Sequence, residues 1–207
     1  MKGAIFDLDG VIVDTAKYHY LAWKELAAEL GFEFKESDNE RLKGVSRMRS
    51  LEILLEVGGI DATEEEKQVM AEKKNNRYVE MLQSLDSSEL LEGAEAYLRQ
   101  LKNDGVRISL GSASKNAPLI LDKLGIRDLF DAVVDGNSVS KAKPDPEVFL
   151  KGAEMLGLAP ADCVVFEDSQ AGIEAARNAG CGVIAIDVGG ILTDADKYVK
   201  CLGDLLV

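Results

Sequence analysis

Short apolar, mostly β-branched runs recur along the chain at positions 4–6, 106–110, 132–134, 163–166 and 183–186. Runs this brief, bounded by polar or glycine-containing sequence, predict buried strands. Between them, apolar residues recur at helical spacing over 94–102, 117–124, 146–156 and 171–179, and Gly105, Gly125, Gly157 and Gly180 mark the helix ends. Strands alternating with helices imply an α/β fold whose parallel sheet is covered on both faces.

The alternation breaks between residues 15 and 87. That stretch carries helical patterns over 16–30, 46–56 and 63–85 and no convincing strand, so it reads as a helical domain inserted into the α/β core. The last of these helices opens with Thr63-Glu64-Glu65-Glu66, the Thr-x-x-Glu form of a capping box. The expected domains are therefore a core of 1–14 with 88–207 and a helical cap of 15–87. No internal repeat or low-complexity segment interrupts them.

Composition narrows the partners. The 207 residues, 46% of them hydrophobic, are enough for one large core or a core with a smaller insert. With 24 Lys plus Arg against 37 Asp plus Glu, the net charge of −13 opposes general binding to nucleic acid or an anionic membrane, so a phosphate-bearing ligand must meet locally placed cations. Acidic residues come too early for a secretory signal and no apolar run approaches a membrane span, so the expected location is the cytoplasm. Cys163, Cys181 and Cys201 lack the spacing of a disulfide framework or a zinc site and read as buried free thiols.

Asp7 and Asp9 follow the first apolar run, in Phe6-Asp7-Leu8-Asp9-Gly10. Side chains alternate along extended backbone, so both carboxylates face one way. Their repulsion is tolerable only if a proton, a cation or a metal offsets it. An ionised carboxylate serves as nucleophile or hard-metal ligand and its neighbour moves a proton, which is what phosphoryl transfer requires. Asp-x-Asp also occurs in turns and calcium loops. Its meaning depends on companions at other strand ends, where open α/β sheets collect their ligands.

Such companions are present. Gly111-Ser112-Ala113-Ser114-Lys115-Asn116 has the small residues of a phosphate cradle at a helix start, and equally of a plain loop with a helix cap. Lys143 precedes Pro144-Asp145-Pro146, which pushes its backbone towards extended geometry and stiffens the loop around an ammonium that suits a phosphoryl group. Glu167 and Asp168 end the fourth predicted strand. Asp7, the carbonyl of Asp9 and Asp168, with Glu167 directly or through water, form an oxygen set suited to Mg²⁺, while helix capping by Asp168 or Ser169 is compatible with that role.

The order and spacing of these four motifs closely resemble the haloacid dehalogenase (HAD) superfamily over essentially the whole chain. The resemblance implies a Rossmann-like, HAD-like parallel-sheet core with an inserted α-helical cap, and Mg²⁺ as cofactor. It implies Asp7 as a nucleophile that becomes an aspartyl-phosphate and Asp9 as acid and then base. Lys143 and the metal would offset phosphoryl charge, with Ser112 and nearby N–H groups orienting the group. Asp, rather than Thr or Ala, at position 9 fits an enzyme acting on O-phosphates.

The insert narrows the substrate. Thr15, His19 and Trp23 fall at i, i+4 and i+8 on one helix face, which is either functional or plain core. The segment from Lys43 to Leu51 offers a glycine turn and Arg47 in the first turn of the next helix, able to grip a carboxylate or a phosphate bidentately. With the core motifs, these residues are similar to the β-phosphoglucomutase family. That likeness implies interconversion of β-D-glucose 1-phosphate and glucose 6-phosphate through a 1,6-bisphosphate. On matching positions, Arg47, Ser114, Lys115 and Asn116, beside Ala113, would hold the phosphate that is not reacting, and Asp7, Ser112 and Lys143 the other. Thr15, His19, Lys43 and Lys74 would belong to the hinge and cap face, and Gly44, Val45 and Ser46 to the sugar. Lys74 in Lys73-Lys74-Asn75 reads equally as a solvated helix lysine, and Arg49 adds a second cation near Arg47 that would tune sugar preference. The expected partner is a small sugar phosphate and the expected state a monomer. A sugar-phosphate phosphatase of the same superfamily is the alternative, and a non-catalytic phospho-ligand sensor is the reading from another class.

Overall fold

The computed structural model describes residues 1–42 and 45–207. Lys43 and Gly44 lie outside the described residues. Contacts divide the chain into two units, Met1–Asp14 with Leu85–Val207, and Thr15–Ser84.

The first unit is built on a six-stranded parallel sheet. Its strands are β1 (Gly3–Phe6), β2 (Arg107–Gly111), β3 (Ala132–Val134), β4 (Cys163–Glu167), β5 (Gly182–Ile186) and β6 (Lys197–Val199). They lie in the order β3-β2-β1-β4-β5-β6. Chain order reverses at β1, so the crevice at the carboxyl ends of β1, β2 and β4 is the switch point where such sheets bind ligands.

Alternation along β1 sends its side chains to two cores. Ile5 joins Phe149, Val165, Ile173 and Val183 on one side, whereas Phe6 stacks on Phe166 of the neighbouring strand, with ring centroids 4.3 Å apart, and meets Tyr97 and Phe130 edge-on. All of β1 is buried, which explains why a sheet covered on both faces reads as an unbroken apolar run.

The second unit is helical, with α1 (Ala16–Glu29), α2 (Glu36–Asn39), α3 (Arg47–Gly58) and α4 (Glu64–Met81). Thr63 and Glu66 close the expected capping box: the Glu66 amide donates to Thr63 Oγ1 at 3.3 Å and the Thr63 amide to Glu66 Oε2 at 2.8 Å. Trp23, Leu26, Leu51, Leu54 and Ala71 from α1, α3 and α4 build this unit's own core.

Back in the first unit, α5 (Ala94–Asn103), α6 (Ala117–Leu124), α7 (Glu147–Met155) and α8 (Gln170–Ala179) complete the alternation. Gly125 and Gly180 end α6 and α8 in the left-handed conformation that glycine adopts without strain. Cys163, Cys181 and Cys201 are free; the first two are buried as expected, whereas Cys201, beside the short 3₁₀ turn near the end of the chain, is only half-buried. Burial, with Cys163 nearby, pushes the Cys181 thiol up to about 12, which leaves it inert. Among the described residues, no helix is long and apolar enough to cross a membrane.

Candidate active site

The β1–β4 ladder sets the geometry of the acidic centre. Phe6 pairs with Phe166, and the Asp7 amide donates to the Phe166 carbonyl at 2.9 Å, so Asp7 leaves the sheet beside Glu167. Two carboxylates in adjacent strands repel, and Lys143 stands between them: its Nζ is 2.5 Å from Asp7 Oδ1 and 2.5 Å from Glu167 Oε1. The ammonium retains only 7% of its side-chain exposure. Burial alone would lower its pKa, but the two carboxylates outweigh burial and raise it, so Lys143 is fixed in its charged form.

Glu167 is fully buried and spends its other oxygen locally. Oε2 accepts from the Asp168 amide (3.0 Å), the Ser169 amide (2.9 Å) and the Ser169 hydroxyl (2.9 Å). Two glycines permit this crowding. A Cβ on Gly172, in the first turn of α8, would stand 1.9 Å from the Glu167 carboxyl group, and one on Gly10 would stand 1.9 Å from Asp168 Oδ2, at a backbone φ of +79°.

One carboxylate oxygen each from Asp7, Glu167 and Asp168 lies within 4.8 Å of the others. Burial, then Glu167 and Asp9 against the pull of Lys143, pushes the Asp7 carboxyl up to about 7. Crowding by protein atoms, then Asp7 and Glu167, pushes Asp168 up to about 8 although part of its surface meets solvent. One lysine therefore does not neutralise this group of acids. Three converging oxygen donors with surplus negative charge fit a hard divalent cation such as Mg²⁺. Asp9 occupies the turn after β1, where the Gly10 amide donates to the Val13 carbonyl at 2.8 Å.

The loop after β2 is organised from within and from β3. The Ser112 amide continues the sheet by donating to the Val134 carbonyl, and Ser112 Oγ accepts from the Ser114 amide at 3.1 Å. Ser114 Oγ accepts from the Asn116 amide at 3.3 Å. Asn137 Nδ2 donates to the Lys115 carbonyl at 3.1 Å, leaving the Lys115 side chain exposed. Ala113 is exposed, and its carbonyl lies so near Gly136 that a Cβ there would approach it to 2.2 Å. Asn116 caps α6 by position without a side-chain cap bond; the Ser112 and Ser114 oxygens brace the loop amides, while the hydroxyl protons and the exposed Lys115 can still donate to a ligand.

In the helical unit, Thr15, His19, Trp23 and Lys74 come together. Lys74 is 2% exposed, in contrast to a solvated helix lysine. Its Nζ lies 2.7 Å from His19 Nδ1, 4.5 Å from the Trp23 ring centre and 4.8 Å from that of Tyr78. An ammonium only donates, so His19 Nδ1 accepts and the ring proton sits on Nε2. His19 stacks on Tyr78, whose hydroxyl donates to the buried Thr15 Oγ1 at 3.0 Å. Burial, then Lys74 and Arg47, holds the His19 pKa well below the usual imidazole value. Trp23 is 2% exposed and belongs to the unit's core, so its role is to wall this box.

Ser46 caps α3 by accepting from the Arg49 amide at 3.3 Å, with Val45 exposed before it and Arg47 half-buried in the first turn. Arg49 does not extend the cationic site: it pairs with Glu52 at 2.9 Å and Glu56 at 3.3 Å along its own helix. Sequence reasoning missed Tyr78, whose one signal is its i+4 position after Lys74. Lys43 and Gly44 are outside the described residues.

Residues 1–180 match the family model of the haloacid dehalogenase-like hydrolases. The chain belongs to this family. The HAD-like chain is 46% identical to the β-phosphoglucomutase of Bacillus subtilis over 207 residues, 99% of this chain and 92% of the relative. It is 36% identical over 186 residues to the fructose-1-phosphate phosphatase of Escherichia coli, covering 90% and 95%. Among solved structures, it is similar to a β-phosphoglucomutase from Clostridium difficile, with a TM-score of 0.94, 42% identity and coverage of 100% of this chain and 93% of the other.

Proposed function

We propose that this protein is a β-phosphoglucomutase. It interconverts β-D-glucose 1-phosphate and glucose 6-phosphate by passing a phosphoryl group through Asp7 and a 1,6-bisphosphate. The observation that carries this reading is the 46% identity to the Bacillus subtilis mutase across 99% of the chain, helical unit included.

The side chains divide the work. Asp7, fixed by the β1–β4 ladder, attacks phosphorus and becomes an aspartyl-phosphate. Lys143 faces the same carboxylate and balances charge on the phosphoryl oxygens, while Ser112 and neighbouring amides orient them. Asp9 gives a proton to the leaving oxygen and later takes one from the attacking sugar hydroxyl. Asp7, the Asp9 carbonyl, Glu167 and Asp168 would hold Mg²⁺, which would supply charge neutralisation at the transferring group when bound.

A mutase binds a bisphosphate in two orientations and so needs a second anion site remote from Lys143. By the likeness to the β-phosphoglucomutases, Arg47, Ser114, Lys115 and Asn116 are assigned to that second phosphate, and Gly44, Val45 and Ser46 to the sugar. Thr15, His19, Lys43 and Lys74 are assigned to the hinge and cap face, with Trp23 walling the His19–Lys74 box.

Label transfer tests the assignment. Phosphorus-32 from a labelled glucose 1,6-bisphosphate should appear on wild-type protein, be lost in Asp7→Asn, and chase into hexose phosphate. A chase solely into inorganic phosphate would assign a phosphatase, the reading that the likeness to the Escherichia coli fructose-1-phosphate phosphatase favours.

A further inference from the structure

Lys143 sits on a segment without regular secondary structure, 140–146, and the Glu147 carboxylate ties the start of that segment to α7. Glu147 is the first residue of α7, yet its side chain turns back on the incoming chain instead of serving its own helix start. Oε2 accepts from the Ser140 amide, the Ser140 hydroxyl and the Lys141 amide, each at 2.9 Å. Oε1 accepts from the Lys151 ammonium at 2.6 Å, and Lys151 also donates to the Ser138 carbonyl at 2.6 Å. Inside the loop, the Asp145 amide donates to the Ala142 carbonyl at 3.0 Å and Lys141 pairs with Asp145 at 3.2 Å.

These contacts anchor the loop on both sides of Lys143. The requirement is strict at the far end, because the Lys143 ammonium is buried and must meet Asp7 and Glu167 together at 2.5 Å. A flexible four-carbon side chain reaches two oxygens at once only if its backbone is fixed, and a displacement of about 1 Å at such a site costs on the order of 100-fold in rate. Glu147 touches none of the reacting groups described above.

We infer that Glu147 is a positioning residue for Lys143: by clamping Ser140 and Lys141 to the start of α7 it holds the ammonium at the carboxylate that carries the phosphoryl group. The inference rests on the reading of Asp7 as phosphoryl acceptor.

The experiment is a double-mutant cycle. Glu147→Ala should lower kcat by about 10- to 100-fold with KM for β-glucose 1-phosphate changed by less than about twofold, because Lys143 acts on charge that grows in the transition state. Glu147→Gln keeps one oxygen for the Ser140 and Lys141 amides and should recover most of that loss. In a Lys143→Ala background, Glu147→Ala should add less than about a twofold further loss. Full additivity of the two losses would overturn the inference.

Metal-free protein gives a readout independent of turnover. In Glu147→Ala, amide hydrogen exchange should accelerate at Ser140 and Lys141 while β1 and β4 keep their protection; uniform acceleration through the sheet would overturn the inference. Running the cycle on an aryl phosphate in parallel separates the two readings. Wild type that cleaves the aryl ester but forms no glucose 6-phosphate defeats the mutase assignment, and the additivity of losses in aryl cleavage still decides the role of Glu147.

Discussion

At the scale of single residues, two aspartates separated by one leucine occupy different environments. Asp7 is buried against Lys143 and Glu167, whereas Asp9 sits in the turn that follows, half-exposed. Asp7→Asn should therefore abolish phosphoryl transfer while preserving the fold, and Asp9→Ala should slow turnover by about 10²- to 10⁴-fold, the range for loss of a general acid–base. Steady-state kinetics beside a thermal melt checks both. Arg47→Ala should lower mutase flux by about 10- to 100-fold, the value of hydrogen bonds to a charged group, and leave aryl phosphate cleavage near wild type. Equal losses in the two assays would remove Arg47 from the second phosphate site.

His19 makes a pH prediction. Its folded pKa lies below the unfolded value of 6.5, so between those two values the unfolded chain binds more protons and stability rises with pH. Asp7 and Asp168, whose folded pKa values are raised, act in the opposite direction, so the signature is a difference: between pH 7.5 and 5.5 the thermal midpoint of wild type should drop relative to that of His19→Gln, whose amide oxygen still accepts from Lys74; parallel curves would place the proton uptake elsewhere. The sequence reveals the i, i+4, i+8 face of Thr15, His19 and Trp23 but not the burial of Lys74. That burial depends on α4 packing against α1, information that a polar triplet such as Lys73-Lys74-Asn75 does not carry.

At the scale of elements, legibility follows burial. Strands β1 to β5 are predominantly buried and show as apolar runs, whereas β6 escapes the sequence reading because Lys197 and Tyr198 are exposed on the sheet edge and only Val199 is buried. Lysine on an edge strand also discourages pairing with a second sheet. The helix ends after 124 and 179 were readable from Gly125 and Gly180, since glycine adopts the left-handed conformation those ends require. The four-residue α2 has no buried residue and so no periodicity to read.

Site glycines are harder to read than site acids, because their role is to be absent. Gly172→Ala should destabilise the protein by about 1–3 kcal/mol, the usual cost of overpacking, because the Glu167 carboxyl it would strike is pinned by Lys143, Asp168 and Ser169. Denaturant melts measure it, and an unchanged midpoint would contradict the geometry. The α7 clamp adds an acid-range signature. Lys151, then the Ser140 contacts, pulls the Glu147 carboxyl from 4.5 to about 2, so its contribution is complete above pH 4.5 and lost as pH falls through about 2. The stability gap between wild type and Glu147→Gln should close over that window.

At the scale of the molecule, a chain of net charge −13 handles an anionic substrate, so recognition must be local. The cations proposed for it are Lys143 in the β3–α7 connection and Lys115 after β2 in the first unit, and Arg47 at the start of α3 in the second. The acids and the lysine that the structure gathers beside β1 were legible from sequence because separate loops that follow strands each carry a polar motif. What the sequence does not carry is the tertiary register that places Glu167 beside Asp7 and turns Glu147 back onto the Lys143 loop.

The central claim is that a sugar hydroxyl, rather than water, receives the phosphoryl group from Asp7. Incubation with β-glucose 1-phosphate, Mg²⁺ and a trace of glucose 1,6-bisphosphate, with glucose 6-phosphate and inorganic phosphate measured together, tests it directly. Glucose 6-phosphate as the main product with little inorganic phosphate is the predicted result; inorganic phosphate without glucose 6-phosphate would contradict it.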